Sequence, residues 1–443
     1  MKKVIVVGSG AGGATVAKEL QGKFDVTILE AGKEFHPFSL KLPTLETLKK
    51  TGLLFDEREI QLFFPPMRIR KVEEMILVNG VGLGGTTTLC TGNALRMDEA
   101  LKALGINLDD EFAEIYREIP ITTEHQKRWR NTTRRLFEIC QEMNLSPQPT
   151  PKMGNYVRCI HCGRCVLGCS HGVKWDSRQY LEIALAGGAQ LVTGCRVERV
   201  VVKDGRVTGV QAKKGWVRKF YPADFVILTA GGLATPVILQ NSGIACEQKL
   251  FVDPVLCVAT QWNESQQYEE IPMPFVVQKE HFILSPYFDY LSFFFNRAWK
   301  YPARDILSLM IKLADANMGS ISDNRIRKTL TAQDKERLNE GVELCKEILH
   351  RLGAKEESIF LGTINAGHPG GMLPLTEQEA ESFHHSRLPE NLYIADATLF
   401  PNSLGNPPIL TIIAMAKRVS KILKNPFSPR KRVFGEGNPS SGI

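Results

Sequence analysis

The segment that decides the fold is VIVVGSGAGGATVAKELQGKFDVTILE, residues 4–30. It consists of an apolar run over residues 4–7, a glycine-rich turn over 8–13, apolar residues at helical spacing, and a second apolar run that ends at an acid, Glu30. This order predicts a strand, a tight turn, a helix and a second, parallel strand. Dinucleotides bind to such units, so we expect a dinucleotide-binding domain at this end of the chain.

Each glycine of the turn has its own physical task. Gly8 permits the tight turn, Gly10 lets the backbone approach a pyrophosphate, and Gly13 lets the helix pack on the strand. The helix N-terminus then presents unpaired N–H groups and a positive dipole to the diphosphate. Glu30 follows Gly10 by 20 residues and is placed to bind a ribose hydroxyl. Because an acid there disfavours a 2′-phosphate, NAD and FAD remain as candidates.

Length, charge and hydropathy exclude several classes of protein. A chain of 443 residues predicts roughly three units of about 150 residues each. The net charge is +7, but the basic residues are dispersed along the sequence, so we expect no nucleic-acid partner. The three long uncharged stretches are interrupted by glycine, proline or asparagine, which argues against a transmembrane segment. No signal peptide precedes the first strand, so we expect a cytoplasmic protein.

Three further stretches of sequence distinguish between NAD and FAD as the cofactor. They are GVGLGGTTTLCTGNALR (80–96), VILTAGGLATP (226–236) and NLYIADATLFPNSLGNPPILT (391–411). In this order they resemble the glucose-methanol-choline (GMC) family of FAD-dependent oxidoreductases. His368-Pro-Gly-Gly371 and Gly405-Asn-Pro-Pro408 are similar to segments of its cholesterol-oxidase and long-chain-alcohol-oxidase branch.

The resemblance implies an α/β fold with a discontinuous Rossmann-like FAD-binding domain of the GMC type, an α+β substrate domain and a cysteine-rich insertion. We assign 1–36, 76–100, 178–250 and 366–425 to the FAD-binding domain. Residues 101–177 form the helical, cysteine-rich insertion, 37–75 and 251–365 the substrate domain, and 426–443 a tail. Within the substrate domain the sequence predicts strands at 275–277 and 307–313, and a helix capped by Thr331 that runs to about Leu352.

The resemblance also implies which residues hold the cofactor. The glycine turn and Glu30 would hold the ADP half, two glycines and an asparagine would line the flavin, and Asp396 would lie near the pyrophosphate and ribityl chain. The family's covalent flavin attachment uses a histidine in the glycine loop, and residues 80–96 contain none. We therefore predict non-covalent FAD. The expected cofactor-binding residues are Gly8, Gly10, Gly13, Glu30, Gly84, Gly85, Asn93, Ala230, Asp396 and Pro407.

Oxidation of an alcohol by hydride transfer requires a base for the hydroxyl proton, and a histidine with a pKa near neutrality suits this task. The resemblance gives this role to His368, with Asn406 donating a hydrogen bond that orients the substrate oxygen. The aromatic stretch at 287–295 is predicted to be a buried wall of the substrate domain. If this wall lines the pocket, it favours an apolar or aromatic alcohol over a sugar.

Four cysteines are spaced as C-x2-C-x2-C-x3-C: Cys159, Cys162, Cys165 and Cys169. This is the spacing of bacterial ferredoxins and predicts a [4Fe–4S] cluster. Either Cys169 is the fourth ligand, or a remote cysteine such as Cys90 or Cys195 is. A zinc site and a structural thiol cluster are the alternatives.

A cluster accepts one electron at a time, so the sequence predicts an FAD-dependent alcohol dehydrogenase that passes electrons to a redox partner protein. The same chemistry could also run in reverse, as carbonyl reduction. Two alternatives stay open. One is an alcohol or sterol oxidase that uses oxygen and has no cluster, and the other is an electron-transfer flavoprotein subunit without alcohol chemistry.

Overall fold

The computed structural model describes residues 1–39, 42–50, 57–322 and 324–425. The tail predicted at 426–443 lies outside the described residues. Within the described ranges, no helix is both long and apolar enough to cross a membrane.

The strands fall into sheets of very different size. In chain order they are β1 Lys3–Val7, β2 Asp25–Leu29, β3 Met67–Val72, β4 Met75–Gly80, β5 Ile121–Thr122, β6 Gln148–Pro149, β7 Lys152–Met153, β8 Gln190–Val192, β9 Cys195–Lys203, β10 Arg206–Lys214, β11 Val217–Pro222, β12 Phe225–Leu228, β13 Pro254–Gln261, β14 Phe275–Gln278, β15 Phe282–Pro286, β16 Ile306–Leu313, β17 Ser320–Ser322, β18 Arg325–Arg327, β19 Ile359–Leu361, β20 Asn365–Ala366 and β21 Leu392–Ile394.

Helices pack on the parallel sheet and against the central strands of the large sheet. They are α1 Ala11–Leu20, α2 Leu42–Lys50, α3 Glu57–Phe63, α4 Glu99–Ala103, α5 Asp109–Glu118, α6 Asn131–Glu142, α7 Arg178–Ala186, α8 Ala234–Asn241, α9 Tyr290–Phe295, α10 Ala332–Leu352 and α11 Ile409–Lys424.

A five-stranded parallel sheet carries the N-terminal unit. Its strand order is β21-β12-β1-β2-β8, and β1 pairs in parallel with both β2 and β12. Strand β1 is buried from Val4 to Val7, because α1 and α11 pack against one another over this sheet. The predicted strand-turn-helix-strand unit and the Rossmann-like parallel sheet are confirmed.

The second large element is a nine-stranded sheet with the order β3-β4-β20-β13-β16-β15-β14-β6, in which β19 also pairs with β13. The strands predicted at 275–277 and 307–313 are β14 and β16, so both predictions are confirmed. The predicted helix is α10, where Thr331 and Asp334 form a capping box. Strand β4 belongs to this sheet through its hairpin with β3, so the boundary that we placed at residue 76 falls within a paired strand.

A three-stranded antiparallel sheet, β11-β10-β9, stands beside the parallel sheet. The Asn391 side chain joins the two sheets. Its Oδ1 accepts a bond from the Val207 amide (2.9 Å), and its Nδ2 donates to the carbonyls of Val207 (2.7 Å) and Asp224 (2.8 Å). The strand β11 is an edge strand, and most of its residues are exposed.

Candidate active site and cofactor cavity

A cavity of about 1070 Å³ lies between the parallel sheet and the large antiparallel sheet. One side is formed by the ends of β1, β2 and β12 with the loops that follow them, and the other by β13, β16 and α9. Ligands of open α/β sheets bind at the carboxyl ends of the strands. The position of the cavity therefore fits a dinucleotide on one side and a substrate on the other.

The glycines of the first turn differ in what surrounds them. Gly8 has a φ of +102°, a conformation that favours glycine. A Cβ on Gly13 would lie 2.0 Å from the Gly8 carbonyl oxygen, so close packing of the helix requires glycine there. A Cβ on Gly10, in contrast, would have no atom of the protein within 4 Å. Gly10 lines the cavity, so the space beside it is available to a ligand.

Glu30 is a buried carboxylate at the end of β2, with 5% of its surface exposed. One oxygen accepts bonds from the Ser9 amide (2.9 Å) and the Ser9 hydroxyl (2.7 Å), and the other accepts one from the Gly32 amide (2.7 Å). A carboxylate has about four acceptor sites, so one remains for a ribose hydroxyl at the cavity wall that Glu30 helps to form.

The second glycine loop packs directly on the first turn. A Cβ on Gly85 would lie 3.1 Å from the Gly10 Cα atom, and a short 3-10 turn over Gly85–Leu89 follows. Beyond this turn, Asn93 lines the cavity. Its Nδ2 donates to Met273 Sδ (3.0 Å), and its Oδ1 accepts a short bond from Lys152 Nζ. Asn93 is therefore held in one orientation.

Asp396 follows strand β21 and is buried in the cavity wall. It accepts bonds from the Gly231 amide (2.9 Å), the Thr235 hydroxyl (2.5 Å) and the Thr398 amide (2.9 Å). Burial nevertheless raises the pKa of Asp396 above its ordinary value. The carboxylate ties the loop after β12 to the loop after β21.

His368 lies in the cavity wall beside a buried pair of charges. Its Nδ1 is 3.6 Å from Asp253 Oδ2, and the same oxygen is 2.7 Å from Lys312 Nζ. Burial, together with the positive charge of Lys312, lowers the pKa of His368 to about 4. Although burial opposes ionisation, Lys312 and His368 hold the pKa of Asp253 below its ordinary value. The imidazole is thus neutral at pH 7, and its pKa lies below the near-neutral value that the sequence led us to expect of the base.

The loop that follows β21 meets the same aspartate. Asp253 Oδ1 accepts a short bond from the Ser403 hydroxyl and a longer one from the Gly405 amide (3.3 Å). The adjacent Asn406 donates through Nδ2 to Gln278 Oε1 (3.3 Å). Asn406 Oδ1 and His368 Nδ1 are both buried without a hydrogen-bond partner. Unpaired buried polar atoms at one site are expected where a ligand completes the hydrogen bonding.

The structure brings most of the predicted site residues to the cavity but not all of them. Gly13, Gly84 and Asn406 are not part of the described cavity wall. Asn406 is 1% exposed, and its neighbour Pro407 takes the place at the surface of the cavity. The predicted residues that line the cavity are Gly8, Gly10, Glu30, Gly85, Asn93, Ala230, His368, Asp396 and Pro407.

Sequence reasoning missed Asp253 and Lys312. Asp253 has no motif around it. Lys312, however, is the one charged residue of β16, ILSLMIKL, and every residue of this strand is buried. A lysine within an otherwise apolar or neutral strand is a usable signal, because a buried charge needs a partner. Lys312 could therefore have been identified from the sequence.

The substrate side of the cavity is largely apolar. Tyr287, Tyr290, Leu291 and Phe294 come from the aromatic stretch at 287–295, and all four line the cavity. Tyr290 and Phe294 are about 5% exposed. The predicted buried aromatic wall is confirmed, and it faces the cavity.

The four clustered cysteines line a separate, small cavity of about 20 Å³. Cys90 and Cys195, the alternatives for a fourth ligand, line the large cavity instead. A tetrahedral zinc ion with bonds of about 2.3 Å holds its sulfur ligands about 3.8 Å apart. Within the described residues, no three cysteine sulfur atoms lie within 4.8 Å of one another. The described cysteines therefore do not form a zinc site, and they show no cluster-like arrangement.

Two buried lysines separate this small cavity from the glycine loop. Lys174 Nζ donates to the carbonyls of Cys165 (3.1 Å), Thr88 (2.8 Å) and Cys90 (3.0 Å). Lys152 Nζ donates to the Pro272 carbonyl (2.7 Å) as well as to Asn93. Among the described residues, neither ammonium group has a carboxylate within 4 Å. Burial lowers the pKa of Lys152 to about 7, so this region is short of negative charge.

The residues present fit FAD. A glycine whose Cβ position has no protein atom beside it lies at the helix N-terminus, and an acid lies at the end of β2. The loop over 80–93 adds Gly85 and Asn93 to the wall of the same cavity. With FAD bound, the first two features would hold the ADP half, and the loop over 80–93 would lie at the flavin.

Three comparisons with known proteins agree with this geometry. A family model described as GMC oxidoreductase matches residues 2–256. An uncharacterised protein of Methanocaldococcus jannaschii is 26% identical and covers 93% of this chain and 97% of its own. A long-chain-alcohol oxidase of Arabidopsis thaliana is 20% identical and covers 97% of this chain and 67% of its own. The crystal structure of pyridoxine 4-oxidase from Mesorbium loti aligns with a TM-score of 0.72 at 15% identity, over 96% of this chain and 99% of that one, and shows the same fold.

Proposed function

The chain belongs to the GMC oxidoreductase family, and on this premise we propose that it is an FAD-dependent enzyme that oxidises an apolar alcohol with His368 as the base. The observation that carries the proposal is that His368, held neutral beside Asp253 and Lys312, lines the same cavity as Gly10, Glu30 and Asp396. A proton acceptor and a dinucleotide site therefore share one enclosed space.

When bound, FAD supplies the two-electron acceptor for the hydride that leaves the alcohol carbon. His368 Nε2 accepts the hydroxyl proton, since Nδ1 faces Asp253. The carboxylate of Asp253 stabilises the imidazolium that forms, and Lys312 keeps the imidazole unprotonated until substrate binds. Asn406 Nδ2 has two N–H groups, and one of them is donated to Gln278 Oε1. We assign the other to the substrate oxygen, beside Pro407 in the cavity wall.

The aromatic wall supports an apolar or aromatic alcohol as the substrate. The rings of Tyr287, Tyr290 and Phe294 and the Leu291 side chain offer apolar surface to a hydrocarbon chain or ring. A sugar would need a hydrogen-bond partner for each hydroxyl. Relatives of the chain include long-chain-alcohol oxidases, which fits the same class of substrate.

The base is tested by His368→Ala, with His36→Ala as a control because the His36 side chain is 78% exposed. We expect His368→Ala to abolish flavin reduction by dodecan-1-ol or benzyl alcohol in anaerobic stopped flow, while dithionite still reduces the flavin. Unchanged reduction by alcohol would reject His368 as the base. If neither the unmodified protein nor the His36→Ala control reacts with any alcohol, an electron-transfer subunit without alcohol chemistry becomes the better interpretation.

We propose further that Cys159, Cys162, Cys165 and Cys169 hold a [4Fe–4S] cluster that passes electrons from the flavin to a one-electron redox partner. All four cysteines line one cavity, and the two lysines beside it have no carboxylate partner among the described residues. A cluster with four thiolates is anionic and would supply the missing negative charge. The turn at 85–89 packs on Cys165–Leu167, so the path to the flavin loop is short.

Iron and acid-labile sulfide analysis after anaerobic purification, with EPR of the dithionite-reduced protein, tests the cluster. We expect about four irons per flavin and a reduced-cluster signal. Cys169→Ser should lose both, whereas Cys140→Ser, at a buried cysteine outside the small cavity, should keep them. Flavin without iron or sulfide in the unmodified protein would reject the cluster and the one-electron relay.

A second candidate is an oxidase without a cluster, because the named relatives of known activity are oxidases. The two candidates differ in where the electrons go. We expect alcohol-dependent reduction of a one-electron dye such as ferricyanide with little peroxide. Stoichiometric release of peroxide under air would favour the oxidase.

A further inference from the structure

The positive charge of this protein is concentrated in one small sheet. Residues 195–222, which form β9, β10 and β11, contain eight lysines and arginines and two acidic residues. Their net charge of +6 compares with +7 for the whole chain. These residues are consecutive in the sequence, and the antiparallel pairing of the three strands folds them into one small unit. We call this unit the basic sheet.

The end of the basic sheet is also apolar. Trp216, at the turn between β10 and β11, is 95% exposed, Val217 is 68% exposed and Phe220 is 46% exposed. Lysines surround them, with Lys213 Nζ 5.6 Å from the Trp216 ring centre and Lys219 Nζ 5.1 Å from the Tyr221 ring centre. Of the eight basic residues, Arg218 pairs with Glu198 and Arg206 with Glu390. Within the described chain, Lys213, Lys214 and Lys219 have no carboxylate within 4 Å.

Lysines on an edge strand are commonly explained as a defence against strand pairing between molecules. That explanation covers Arg218 and Lys219 of β11. It does not cover the exposed Trp216 before β11 or the exposed Val217 and Phe220 within it, which would promote association. An anionic lipid surface, in contrast, binds both features: a protruding tryptophan and the lysines and arginines around it. The ring lies at the headgroup level, and the cations meet the lipid phosphates.

We propose that the basic sheet docks the protein on an anionic lipid bilayer through Trp216, Val217 and the lysines around them. A nucleic acid would also meet the charge, but single strands bind in grooves where several aromatic rings stack successive bases. Here one ring, Trp216, stands at the hairpin end with Val217, and Phe220 lies further along β11, opposite Gln211.

The docking surface adjoins the mouth of the large cavity. Arg199 and Arg218 of the basic sheet line that cavity, as does Phe63 of α3, which is 53% exposed. Docking would therefore bring this rim of the cavity close to a bilayer, from which an apolar alcohol enters. This last step rests on the proposed function, whereas docking itself does not depend on the redox chemistry.

Co-sedimentation of the purified flavoprotein with vesicles tests the proposal. Phosphatidylcholine vesicles are compared with vesicles that also contain phosphatidylglycerol. We expect the anionic vesicles to bind at least about tenfold more protein at low salt, and high salt to reverse the binding. Lys213→Glu/Lys214→Glu and Trp216→Ser/Val217→Ser should each lose this binding. Quenching by brominated lipid should affect the fluorescence of the unmodified protein and spare that of Trp216→Phe.

The control variants make a matching change of charge, or replace an exposed apolar side chain, at positions outside the basic sheet. Lys23→Glu/Lys355→Glu alters two exposed lysines outside the basic sheet, and Met318→Ser alters a residue that is 72% exposed. Both should bind as the unmodified protein does, with the flavin content of every variant measured to show that each one folds. Equal binding to both kinds of vesicle, or undiminished binding by the hairpin variants, would overturn the proposal. So would Trp216-dependent binding to a single-stranded oligonucleotide without vesicle binding.

Discussion

At Gly10 the first turn leaves a space that the protein itself does not use, and this permits a sharp test of cofactor binding. A methyl group there would meet no protein atom within 4 Å, but at Gly13 it would lie 2.0 Å from a carbonyl oxygen. We expect Gly10→Ala to keep the melting temperature of the apoprotein and to weaken FAD binding about tenfold or more. Gly13→Ala should lower the stability of the apoprotein itself by about 2 kcal/mol. Fluorescence titration with FAD and thermal melts separate the two effects. Equal FAD affinity in Gly10→Ala would contradict the assignment.

Burial and the positive charge of Lys312 together lower the pKa of His368, so removal of Lys312 should appear in the pH profile. With the pKa of His368 at about 4, the rate of flavin reduction by alcohol should rise with pH through 4 and stay level near neutrality. Lys312→Met removes a positive charge and leaves Asp253 to favour the imidazolium, so the acidic limb should move to higher pH. The measurement is the pH dependence of anaerobic flavin reduction. An unmoved limb would show that Lys312 is only structural.

Removal of Lys312 alone also leaves a buried carboxylate unpaired, which costs about 3 kcal/mol or more of stability. The double variant Lys312→Met/Asp253→Asn removes both charges and should recover much of this loss. Comparison of the two variants by denaturant unfolding thus distinguishes the stability effect from the shift in the pH profile.

Among the elements, α1, α5 and α11 meet at a single buried ammonium group. Lys417 of α11 is 1% exposed and lies within 3.1 Å of Glu19, Glu114 and Glu118. Although burial opposes ionisation, Lys417 and Lys424 lower the pKa of Glu19 to about 2. The stability contributed by this carboxylate is therefore complete above pH 4.5 and is lost as the pH falls through 2.

Lys417→Met should destabilise the protein by about 3 kcal/mol at neutral pH, since three carboxylates lose their shared partner. The pKa of Glu19 should rise, so that acid unfolding begins at higher pH than in the unmodified protein. Lys335→Met is the matched control, because the pair Lys335–Glu74 is on the surface, with the lysine 56% exposed, and should cost less than about 1 kcal/mol. Urea unfolding at several pH values measures both. Equal losses in the two variants would contradict the role of Lys417.

The elements that the sequence predicted best are those with local signals. Thr331 and Asp334 mark the start of α10, and the run over 4–7 with its glycine turn marks β1 and α1. The hairpin β3–β4 was missed because its two strands were divided between a charged segment and a glycine-rich one. Its pairing with β20 depends on residues almost 300 positions away, which no local pattern contains.

At the scale of the whole molecule, family membership and the parallel sheet were predictable because motifs spread over the chain occur in a fixed order. The grouping of Asp253, Lys312 and Ser403 around His368 could not be predicted from the sequence. Asp253 precedes β13, Lys312 lies in β16 and Ser403 follows β21, and only the packing of the two large sheets brings them together. The basic sheet differs, because it comes from one continuous segment, residues 195–222, whose net charge can be counted in the sequence. The division into domains stays a prediction.

Because the large cavity is walled by both sheets, its ligand should hold the two halves of the molecule together. We expect FAD to raise the stability of the apoprotein, by about 2.7 kcal/mol at a free concentration 100 times Kd, and the melting temperature to increase with each increment of FAD. Hydrogen exchange should show added protection in both sheets, in the turn at 8–13 and in the strand β13, since each contributes to the cavity wall. Gly10→Ala, which weakens binding without disturbing packing, should need a higher FAD concentration for the same protection. Protection confined to the parallel sheet would mean that the antiparallel sheet does not contact the cofactor, and the cavity would then be two adjoining sites rather than one.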